Sequence, residues 1–482
     1  MVFSSVVFLC VFLPAVLLIY SIINKSLRNS FLLLASLFFY AWGEPKYALI
    51  LIGSILFNYA LALVIHRFED RRKPKLKRAA LWIAILVDCG VLFVFKYLNF
   101  TLTNINKVLE LFSATPESAC LAVTNIALPI GISFFTFQEM SYVIDVYRGT
   151  EPVQKNPVDL GLYISFFPQL IAGPIVRYKT IAAQIANRKT TLESFTGGAE
   201  RFIVGLAKKV LIANTVAVAA DYAFQLAAAE RISCGLAWFG AVSYALQIYF
   251  DFSGYSDMAI GLGRMFGFQI PENFNYPYAA KSVTDFWRRW HISLSMWFRD
   301  YVYIPLGGSR VKTGRMLFNL FVVWLLTGIW HGANWTFLAW GAYYYVLLSF
   351  EKLTHISNTI EKKGPAAAYR VVSLFFILFG WVLFRSDNIA IAGRYIKCMF
   401  MAYGSIANSP DTLYLLSAYT GVVIAAMLLS VPLLRKLGGW LAAKLGANAS
   451  AAGRAVVLLA LLMVSLATTV SSTYNPFIYF NF

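Results

Sequence analysis

The chain has 482 residues, of which 59% are apolar and 13% charged, and its mean hydropathy is +0.65. A soluble domain carries about 25% charged residues, so this composition indicates an all-α polytopic membrane protein with about 10–12 spans. It excludes a nucleic-acid-binding protein, a disordered chain and a secreted disulfide scaffold, and the formal charge of +18 then reflects basic cytoplasmic loops.

Three apolar segments open the chain, at residues 2–23, 31–42 and 47–65. The first has no basic residue ahead of it and is predicted to be a retained span rather than a cleaved signal peptide. The strongest basic cluster, 67–78, follows the third segment. Because Lys and Arg are enriched in cytoplasmic loops, this cluster predicts an extracytoplasmic N-terminus. The basic residues before the last apolar run, 455–470, predict the same side for the aromatic tail 474–482.

Further candidate spans follow in chain order, at 79–100, 204–220, 236–250, 318–328, 332–350, 371–384 and 413–429. Several are shorter than the ~17 residues that cross a bilayer, and Gly and Pro interrupt the apolar stretches at 128–131 and 166–174. Broken backbone at membrane depth is tolerated only where protein or a water cavity covers it. We therefore predict short, broken or re-entrant helices around an internal cavity, within a single transmembrane domain, 1–482, without a separate soluble domain.

The cysteine pattern supports neither a metal site nor a disulfide framework. The five cysteines are odd in number, far apart and without a CxxC pair: Cys10, Cys89, Cys120, Cys234 and Cys398. No metal and no bound cofactor is predicted.

The most informative polar residue is His331, because it lies between two apolar runs, where an ionisable side chain usually marks a function or a pathway. In a continuous helix, Thr327, His331 and Asn334 share one face with Trp324, and we expect Trp330 to line the same cavity. A neutral imidazole suits general-base work on a hydroxyl or thiol. A histidine that bridges two helices by hydrogen bonds explains the pattern equally well.

A second histidine, His291, belongs to a stretch of mixed cations and tryptophans. Asp285 and Arg289 are spaced i, i+4 and are predicted to pair, and Arg288 and Ser295 lie about one turn from His291. Two interpretations stay open. The stretch is either an interfacial helix whose arginines meet lipid phosphates, or the lining of an entry for an anionic substrate, with the two histidines facing each other.

A third polar stretch closes an apolar run and contains Asp251, Tyr255 and Asp257. Carboxylates are costly in such surroundings. We predict that the two aspartates pair with nearby arginines and hold the cavity together, with a catalytic role as the alternative. The candidate partners are Arg264, Arg288 and Arg289.

Three segments carry longer motifs: PENFNYPY at 271–278, WHISLS followed by WFRDYVYIPLGG within 282–308, and TGIWHG within 324–334. With 129–137 and 169–177, they resemble the membrane-bound O-acyltransferase family, and within it the alginate O-acetyltransferase branch. The resemblance implies a ring of transmembrane helices around a thin, funnel-like core. It also implies His331 at the active-site histidine position and His291 at the second histidine position.

The resemblance further implies that an acetyl group passes from a cytoplasmic thioester donor, acetyl-CoA, to an extracytoplasmic acceptor for O-acetylation of a polysaccharide such as alginate. His331 would serve as general base or as transient acyl carrier. A bacterial inner membrane and its lipids are the implied surroundings. Because no soluble domain is predicted that could grip a polymer, we expect a separate extracytoplasmic partner, an SGNH-like serine enzyme, to meet the polysaccharide.

Two other functions are weighed against this one. Intramembrane ionisable groups and broken helices are equally typical of a transporter or a flippase for a lipid-linked saccharide, although the inverted repeats of such proteins are not visible in the sequence. A non-catalytic scaffold for a synthesis complex would leave both histidines dispensable.

Overall fold

The computed structural model describes residues 1–112, 121–124, 126–229, 232–356, 366–400, 410–472 and 474–478. Every regular element in these ranges is helical, which confirms the prediction of an all-α protein. The chain divides into two compact units. Unit 1 contains Met1, Val7–Leu192 and Phe266–Ile270, and unit 2 contains Val2–Val6, Glu193–Met265 and Pro271–Phe482.

Unit 1 is built from nine helices within the described residues. A π-helical turn, Phe8–Phe12, leads into the first helix, and another, Phe93–Tyr97, joins the fourth helix to the fifth. The helices are α1 (Leu13–Ile22), α2 (Arg28–Gly43), α3 (Pro45–Asp70), α4 (Pro74–Leu92), α5 (Leu98–Phe112), α6 (Ile132–Arg148), α7 (Pro157–Ser165), α8 (Phe167–Leu170) and α9 (Tyr178–Asn187).

The predicted interruptions of the apolar segments are present in unit 1. Gly131 precedes α6 with a left-handed backbone (φ 77°), and a Cβ there would lie 2.6 Å from the carbonyl oxygen of Leu170. Only glycine fits this combination of conformation and contact. The stretch 166–174 contains only the four-residue helix α8, whose side chains are all buried. Short, broken helices covered by protein are therefore a feature of this fold, as predicted.

Unit 2 contains the longest helix of the described chain and all the polar motifs singled out above. Its helices are α10 (Leu192–Ala207, which starts at the unit boundary), α11 (Asn214–Ala228), α12 (Cys234–Met265), α13 (Val283–Arg289), α14 (Ile292–Phe298), α15 (Thr313–His331), α16 (Trp335–Thr354), α17 (Ala366–Arg385), α18 (Ile389–Met399), α19 (Pro410–Leu429), α20 (Leu433–Leu445) and α21 (Ala447–Ser471). A π-helical segment, Lys208–Ala213, joins α10 to α11.

Helices α15 and α16 approach each other closely through two glycines. A Cβ on Gly328 would lie 2.4 Å from the Phe337 carbonyl oxygen, and one on Gly341 would lie 2.5 Å from the Trp324 carbonyl oxygen. Small residues at such crossings let helix backbones come into contact. Because α15 ends at His331, this contact fixes where the histidine lies.

Seven helical stretches of the described chain are long and apolar enough to cross a membrane: Pro45–Asp70, Pro74–Phe112, Leu192–Ala228, Thr313–His331, Ala367–Arg385, Thr412–Leu429 and Ala447–Ser471. The first apolar segment forms a shorter helix, Phe8–Ile22. The figure of 10–12 spans, which also counts shorter segments, stays a prediction, as do the single domain and the side of each terminus. Cys120 and residues 479–482 of the aromatic tail lie outside the described residues.

Candidate active site

His331 is the last residue of α15, and aromatic rings surround its imidazole. The ring centroids of Trp330, Trp340 and Phe384 lie 5.0, 5.0 and 5.1 Å from that of His331, each close to edge-on. The side chain is 8% exposed. Edge-on aromatic packing of this kind holds a ring in one orientation, so the imidazole is fixed in place rather than free to follow a substrate.

His291 lies at the start of α14 with a left-handed backbone (φ 45°), which is unusual for a residue with a side chain. It is 1% exposed, and its ring lies 4.7 Å from Phe252 and 5.9 Å from Trp330. The ring of Trp330 therefore contacts both histidines. His291 lies outside the seven apolar helices, and burial lowers its pKa to about 3, so this imidazole is neutral near pH 7.

The backbone around His291 is held by one buried amide, Asn273, which is 0% exposed. Its Oδ1 accepts hydrogen bonds from the Ser293 N–H at 3.0 Å and the Ser293 hydroxyl at 2.9 Å. The Asn273 carbonyl oxygen also accepts the Ile292 N–H at 3.0 Å. These bonds stabilise the strained conformation at His291, so Asn273 is a positioning residue that the sequence reading missed.

Both histidines line a cavity of about 800 Å³, here called the large cavity. Its walls include the side chains of Trp287, Trp324 and Leu348, and its charged lining residues are Arg288, Arg299, Glu351 and Lys352. This volume lies within the range of ordinary small-molecule sites, about 300–1,000 Å³. The lining combines an apolar wall with an excess of positive charge.

Glu351, the one carboxylate among the lining residues of the large cavity, accepts hydrogen bonds from the start of α13. It accepts the N–H groups of Val283 at 2.8 Å and Thr284 at 2.7 Å, and the hydroxyl of Tyr369 at 2.8 Å. Lys352 donates to the Tyr303 hydroxyl at 3.2 Å. Glu351 therefore anchors the helix that carries Arg288. Arg299 pairs with Asp300 at 2.7 Å, and the lining itself has three cations against one carboxylate.

His331 also lines a second, much smaller space of about 20 Å³, here called the gap. The gap is large enough for about one water molecule. It shares Phe384 and Ile478 with a third cavity of about 450 Å³, here called the outer cavity, whose lining includes Asp221 and Arg385. His331 thus lines both the large cavity and the gap, and the gap shares two lining residues with the outer cavity.

The structure brings part of the predicted set together at the large cavity, namely His291, His331, Thr327, Arg288 and Ser295. Trp330 is buried between the two imidazole rings. The prediction that Asn334 shares the His331 face is wrong, because α15 ends at His331 and Gly332 is extended. Asn334 instead caps α16, accepting the Thr336 N–H at 3.1 Å, and lines the outer cavity.

Asp251 lines the gap, but its partner differs from the arginines considered from the sequence. It forms an ion pair with Lys209 at 2.8 Å, and both side chains are at most 3% exposed. Asp251 also accepts the N–H of Ile478 at 3.0 Å, while Lys209 donates to the carbonyl oxygen of Pro476. The predicted role of holding the cavity together fits this geometry, with the described part of the C-terminal tail, 474–478, as the segment that is held.

The remaining predicted residues support the site from outside its lining. Asp257 pairs with Arg201 and Lys208, both at 2.6 Å, rather than with the expected arginines. The ring of Tyr255 stacks on Phe3 at 4.5 Å and packs against Phe477 at 4.9 Å. These contacts fix α12 to both terminal segments of unit 2.

The predicted pair Asp285–Arg289 is confirmed at 2.8 Å. The other carboxylate oxygen of Asp285 accepts the Lys281 N–H at 3.0 Å. This pair stabilises α13 at its two ends, and neither residue is among those that line the three cavities.

Sequence reasoning missed Asn273, Lys209, Glu351 and Lys352. The only signal for Lys209, Glu351 and Lys352 was a polar residue within or beside an apolar run, which does not reveal its distant partner. No group of three or more His, Cys, Asp and Glu side chains that could hold a metal ion occurs in the ranges that the structure describes.

The chain is similar in sequence to known membrane acyltransferases. A family model described as the membrane-bound O-acyltransferase family matches residues 153–392, a range that contains both histidines. The probable alginate O-acetylase AlgI of Pseudomonas aeruginosa is 44% identical over 402 residues, covering 83% of this chain and 75% of the relative. The peptidoglycan O-acetyltransferase of Helicobacter pylori is 38% identical, covering 83% and 80%. The teichoic acid D-alanyltransferase of Bacillus subtilis is 28% identical, covering 53% and 68%.

Proposed function

Since the chain belongs to the membrane-bound O-acyltransferase family and is an O-acyltransferase, we propose that it passes an acetyl group from cytoplasmic acetyl-CoA to an extracytoplasmic hydroxyl for O-acetylation of a polysaccharide such as alginate. The observation that carries the proposal is the position of His331, which lines both the large cavity and the gap that shares Phe384 and Ile478 with the outer cavity. Two relatives carry acetyl transfer in their names, one to alginate and one to peptidoglycan.

The large cavity supports a coenzyme thioester as the donor. Arg288, Arg299 and Lys352 are suited to the phosphates of such a molecule, because guanidinium and ammonium groups bind phosphate oxygens strongly. The apolar wall suits the uncharged arm that carries the thioester. In this arrangement the charged part of the donor stays at the mouth of the cavity and does not cross hydrocarbon.

The proposed reaction is a direct transfer. His331 accepts the proton of the acceptor hydroxyl, and the oxygen attacks the thioester carbonyl. The new C–O bond forms, the C–S bond breaks, and the leaving thiolate takes a proton, so that His331 returns to its neutral state. The aromatic rings around His331 exclude bulk water, which disfavours hydrolysis of the thioester. A transient acetyl-imidazole is the alternative route.

The basic residues around the start of α15 support a proposed orientation. Arg310, Lys312 and Arg315 lie around the start of α15, the helix that carries the active-site histidine. Basic residues beside a span favour the cytoplasmic side. We therefore assign the large cavity to the cytoplasm and the outer cavity to the far side of a bacterial inner membrane, with both termini extracytoplasmic.

The outer cavity supports a small acceptor group rather than a polymer chain. At about 450 Å³ it has room for a group the size of a single sugar or an amino-acid side chain. We accordingly propose that the polysaccharide is reached indirectly, through a serine-bearing extracytoplasmic partner enzyme.

The test uses the purified full chain in liposomes with acetyl-CoA labelled in the acetyl group. We expect release of coenzyme A thiol and transfer of the label, with a loss of about 10²–10⁴-fold in His331→Ala. In cells that depend on this chain, the same variant removes O-acetyl groups from the extracellular polysaccharide while the protein still inserts into the membrane.

His66→Ala is the matched control, because His66 is a solvent-accessible histidine of unit 1 that pairs with Asp70. It should retain wild-type transfer. Wild-type polymer acetylation by a folded His331→Ala protein would refute the proposed function. Saccharide transport by the liposomes without acyl exchange would favour the flippase hypothesis instead.

A further inference from the structure

Helix α20, Leu433–Leu445, is exposed along its whole length: none of its 13 residues is buried by the part of the chain that the structure describes. Its neighbours α19 and α21 contain stretches long and apolar enough to cross a membrane, Thr412–Leu429 and Ala447–Ser471. The connections to them are residues 430–432 and residue 446. Because a residue of extended chain spans at most about 3.6 Å, both ends of α20 stay close to the membrane face where the two spans meet it.

One side of α20 is apolar and accessible. Leu433, Leu437, Trp440 and Leu441 are spaced i, i+4, i+7 and i+8, which places them on one face of a helix. These four residues are between 41% and 54% exposed. Since contiguous apolar side chains are costly to leave in water, this face indicates surroundings that are themselves apolar.

The charged residues of α20 are all positive: Arg435, Lys436 and Lys444. The chain contains no Asp or Glu after Asp411, and the one other cation of that C-terminal region, Arg454, pairs with Glu200. Among the described ion pairs, none includes a residue of α20. The helix therefore presents three cations that lack carboxylate partners within the described ranges.

An anionic lipid surface fits these features better than a protein partner does. The two flanking spans already bring a bilayer to both ends of α20. A helix with Trp and Leu on one face and with Lys and Arg among its polar residues is typical of the membrane interface. The ammonium of Lys444 lies 4.0 Å from the ring centroid of Trp440, so its apolar stem runs beside the ring while its charge can reach a headgroup. Phosphate oxygens are strong acceptors for guanidinium and ammonium groups.

We propose that α20 lies in the plane of the membrane interface and binds anionic phospholipids. Leu437, Trp440 and Leu441 meet the acyl chains, and the three cations meet the phosphates. This lipid site is separate from the catalytic one, because no residue of α20 lines the large cavity, the gap or the outer cavity. Only 6% of the most apolar part of α21 is buried inside the protein, so lipid contacts at α20 help to hold that span in place.

The first test asks whether lipid covers the apolar face. The full chain is placed in nanodiscs of phosphatidylcholine with about one third phosphatidylglycerol, with and without bromine on the acyl chains. Bromine quenches tryptophan fluorescence at short range, and the difference between the wild type and Trp440→Phe isolates the signal of Trp440. We expect Trp440 to be quenched, as is Trp82, which is 55% exposed on the spanning helix α4 and is isolated by Trp82→Phe. An unquenched Trp440 beside a quenched Trp82 overturns the proposal.

The second test asks whether the headgroup charge matters. Chymotrypsin cuts at Trp440 and the neighbouring leucines when α20 leaves the lipid surface. We expect cleavage to be at least about tenfold slower in the discs with phosphatidylglycerol than in neutral phosphatidylcholine, because each basic residue near an anionic surface contributes about fivefold to binding. About 1 M salt, at which the Debye length is about 3 Å, should remove the difference. Equal cleavage in the two lipids overturns the assignment to anionic lipid.

A triple variant neutralises the cations of α20 and keeps the chymotrypsin sites: Arg435→Gln, Lys436→Gln and Lys444→Gln. The matched control neutralises three exposed cations between α3 and α4: Arg71→Gln, Arg72→Gln and Lys73→Gln. The first variant should lose the difference between the two lipids, and the control should keep it. A difference that persists in the first variant overturns the site.

The lipid site and the proposed acyl transfer are tested by separate measurements. Quenching and cleavage report on α20 alone, so a negative result there leaves the transfer at His331 standing. Loss of the transfer hypothesis through His331→Ala would likewise leave lipid binding by α20 standing.

Discussion

His331 at the end of α15 and Asp251 within α12 line the same gap of about 20 Å³. Asp251 is balanced by Lys209 and bonded to the backbone of the C-terminal tail, whereas His331 also faces the large cavity. Asp251 and His331 therefore have different roles at the gap. The carboxylate holds the wall, and the imidazole lines both the gap and the large cavity.

The first prediction concerns the glycine contact that places His331. Gly328→Ala puts a methyl group 2.4 Å from the Phe337 carbonyl oxygen, so α15 and α16 must separate. We expect a loss of about 1–3 kcal/mol in the free energy of unfolding and at least a tenfold fall in acetyl transfer. Thermal unfolding in detergent and the labelled-acetyl assay measure both.

Gly314→Ala on the same helix is the control, because a Cβ there meets no atom within 4 Å. It should leave transfer unchanged and raise stability by up to about 1 kcal/mol. Equal behaviour of the two variants would show that the close approach of the helices does not position the histidine.

The second prediction concerns the amide that holds the His291 backbone. Asn273→Ala removes the acceptor of two hydrogen bonds, and Ser293→Ala removes only the hydroxyl donor of one of them. We expect Asn273→Ala to cost about 1–3 kcal/mol and Ser293→Ala about half as much, with transfer falling in the same order. The same unfolding and transfer measurements apply. A fall in stability without a fall in transfer would show that His291 is not part of the site.

The third prediction concerns the buried ion pair. Lys209→Met and Asp251→Asn each leave one buried group uncompensated and should destabilise the protein by about 3–5 kcal/mol. The double variant should recover part of that loss, since neither charge is then left alone. Limited proteolysis is expected to cut the tail near 474–478 sooner in the single variants.

Lys208→Met is the comparison, because Lys208 is 25% exposed and its partner Asp257 retains Arg201. Its effect should stay below about 1 kcal/mol. If the loss in the double variant equals the sum of the two single losses, the charges are not acting on each other.

The fourth prediction concerns the cations of the large cavity. Arg288→Gln and Lys352→Gln should each raise the KM for acetyl-CoA by about tenfold, because a phosphate contact is lost. The KM for acetylpantetheine, which has no phosphates, should not change. Lys75→Gln, in the exposed first turn of α4, is the control and should leave both values unchanged. Equal shifts for the two donors would mean that these cations do not bind phosphate.

Much of the fold could be predicted because the insertion of a helix into a bilayer depends on the local composition of the sequence. Apolar runs of sufficient length predicted the spanning helices, and Gly131 and the stretch 166–174 predicted the interruptions, since backbone limits at Gly and Pro act within a few residues. The pair Asp285–Arg289 was equally local. The unusual position of His331 between apolar runs was enough to single it out.

Residue partners could not be predicted in the same way. The sequence offered arginines near Asp251, but the chain returns through the π-helical segment 208–213, so Lys209 meets it instead. Helical spacing predicts Asn334 on the His331 face. The prediction fails because the helix ends at His331 and the backbone of Gly332 is extended.

The amino-acid sequence thus determined that this is an all-helical membrane protein of the O-acyltransferase family, and it singled out the imidazole of His331. Hydrophobic burial, helix breaking and motif spacing all depend on neighbours along the chain. Only the tertiary structure decided that this imidazole lines both the large cavity and the gap, that Asn273 secures the second histidine, and that Lys209 pairs with Asp251. Those facts depend on contacts between helices far apart in sequence, which no local pattern encodes.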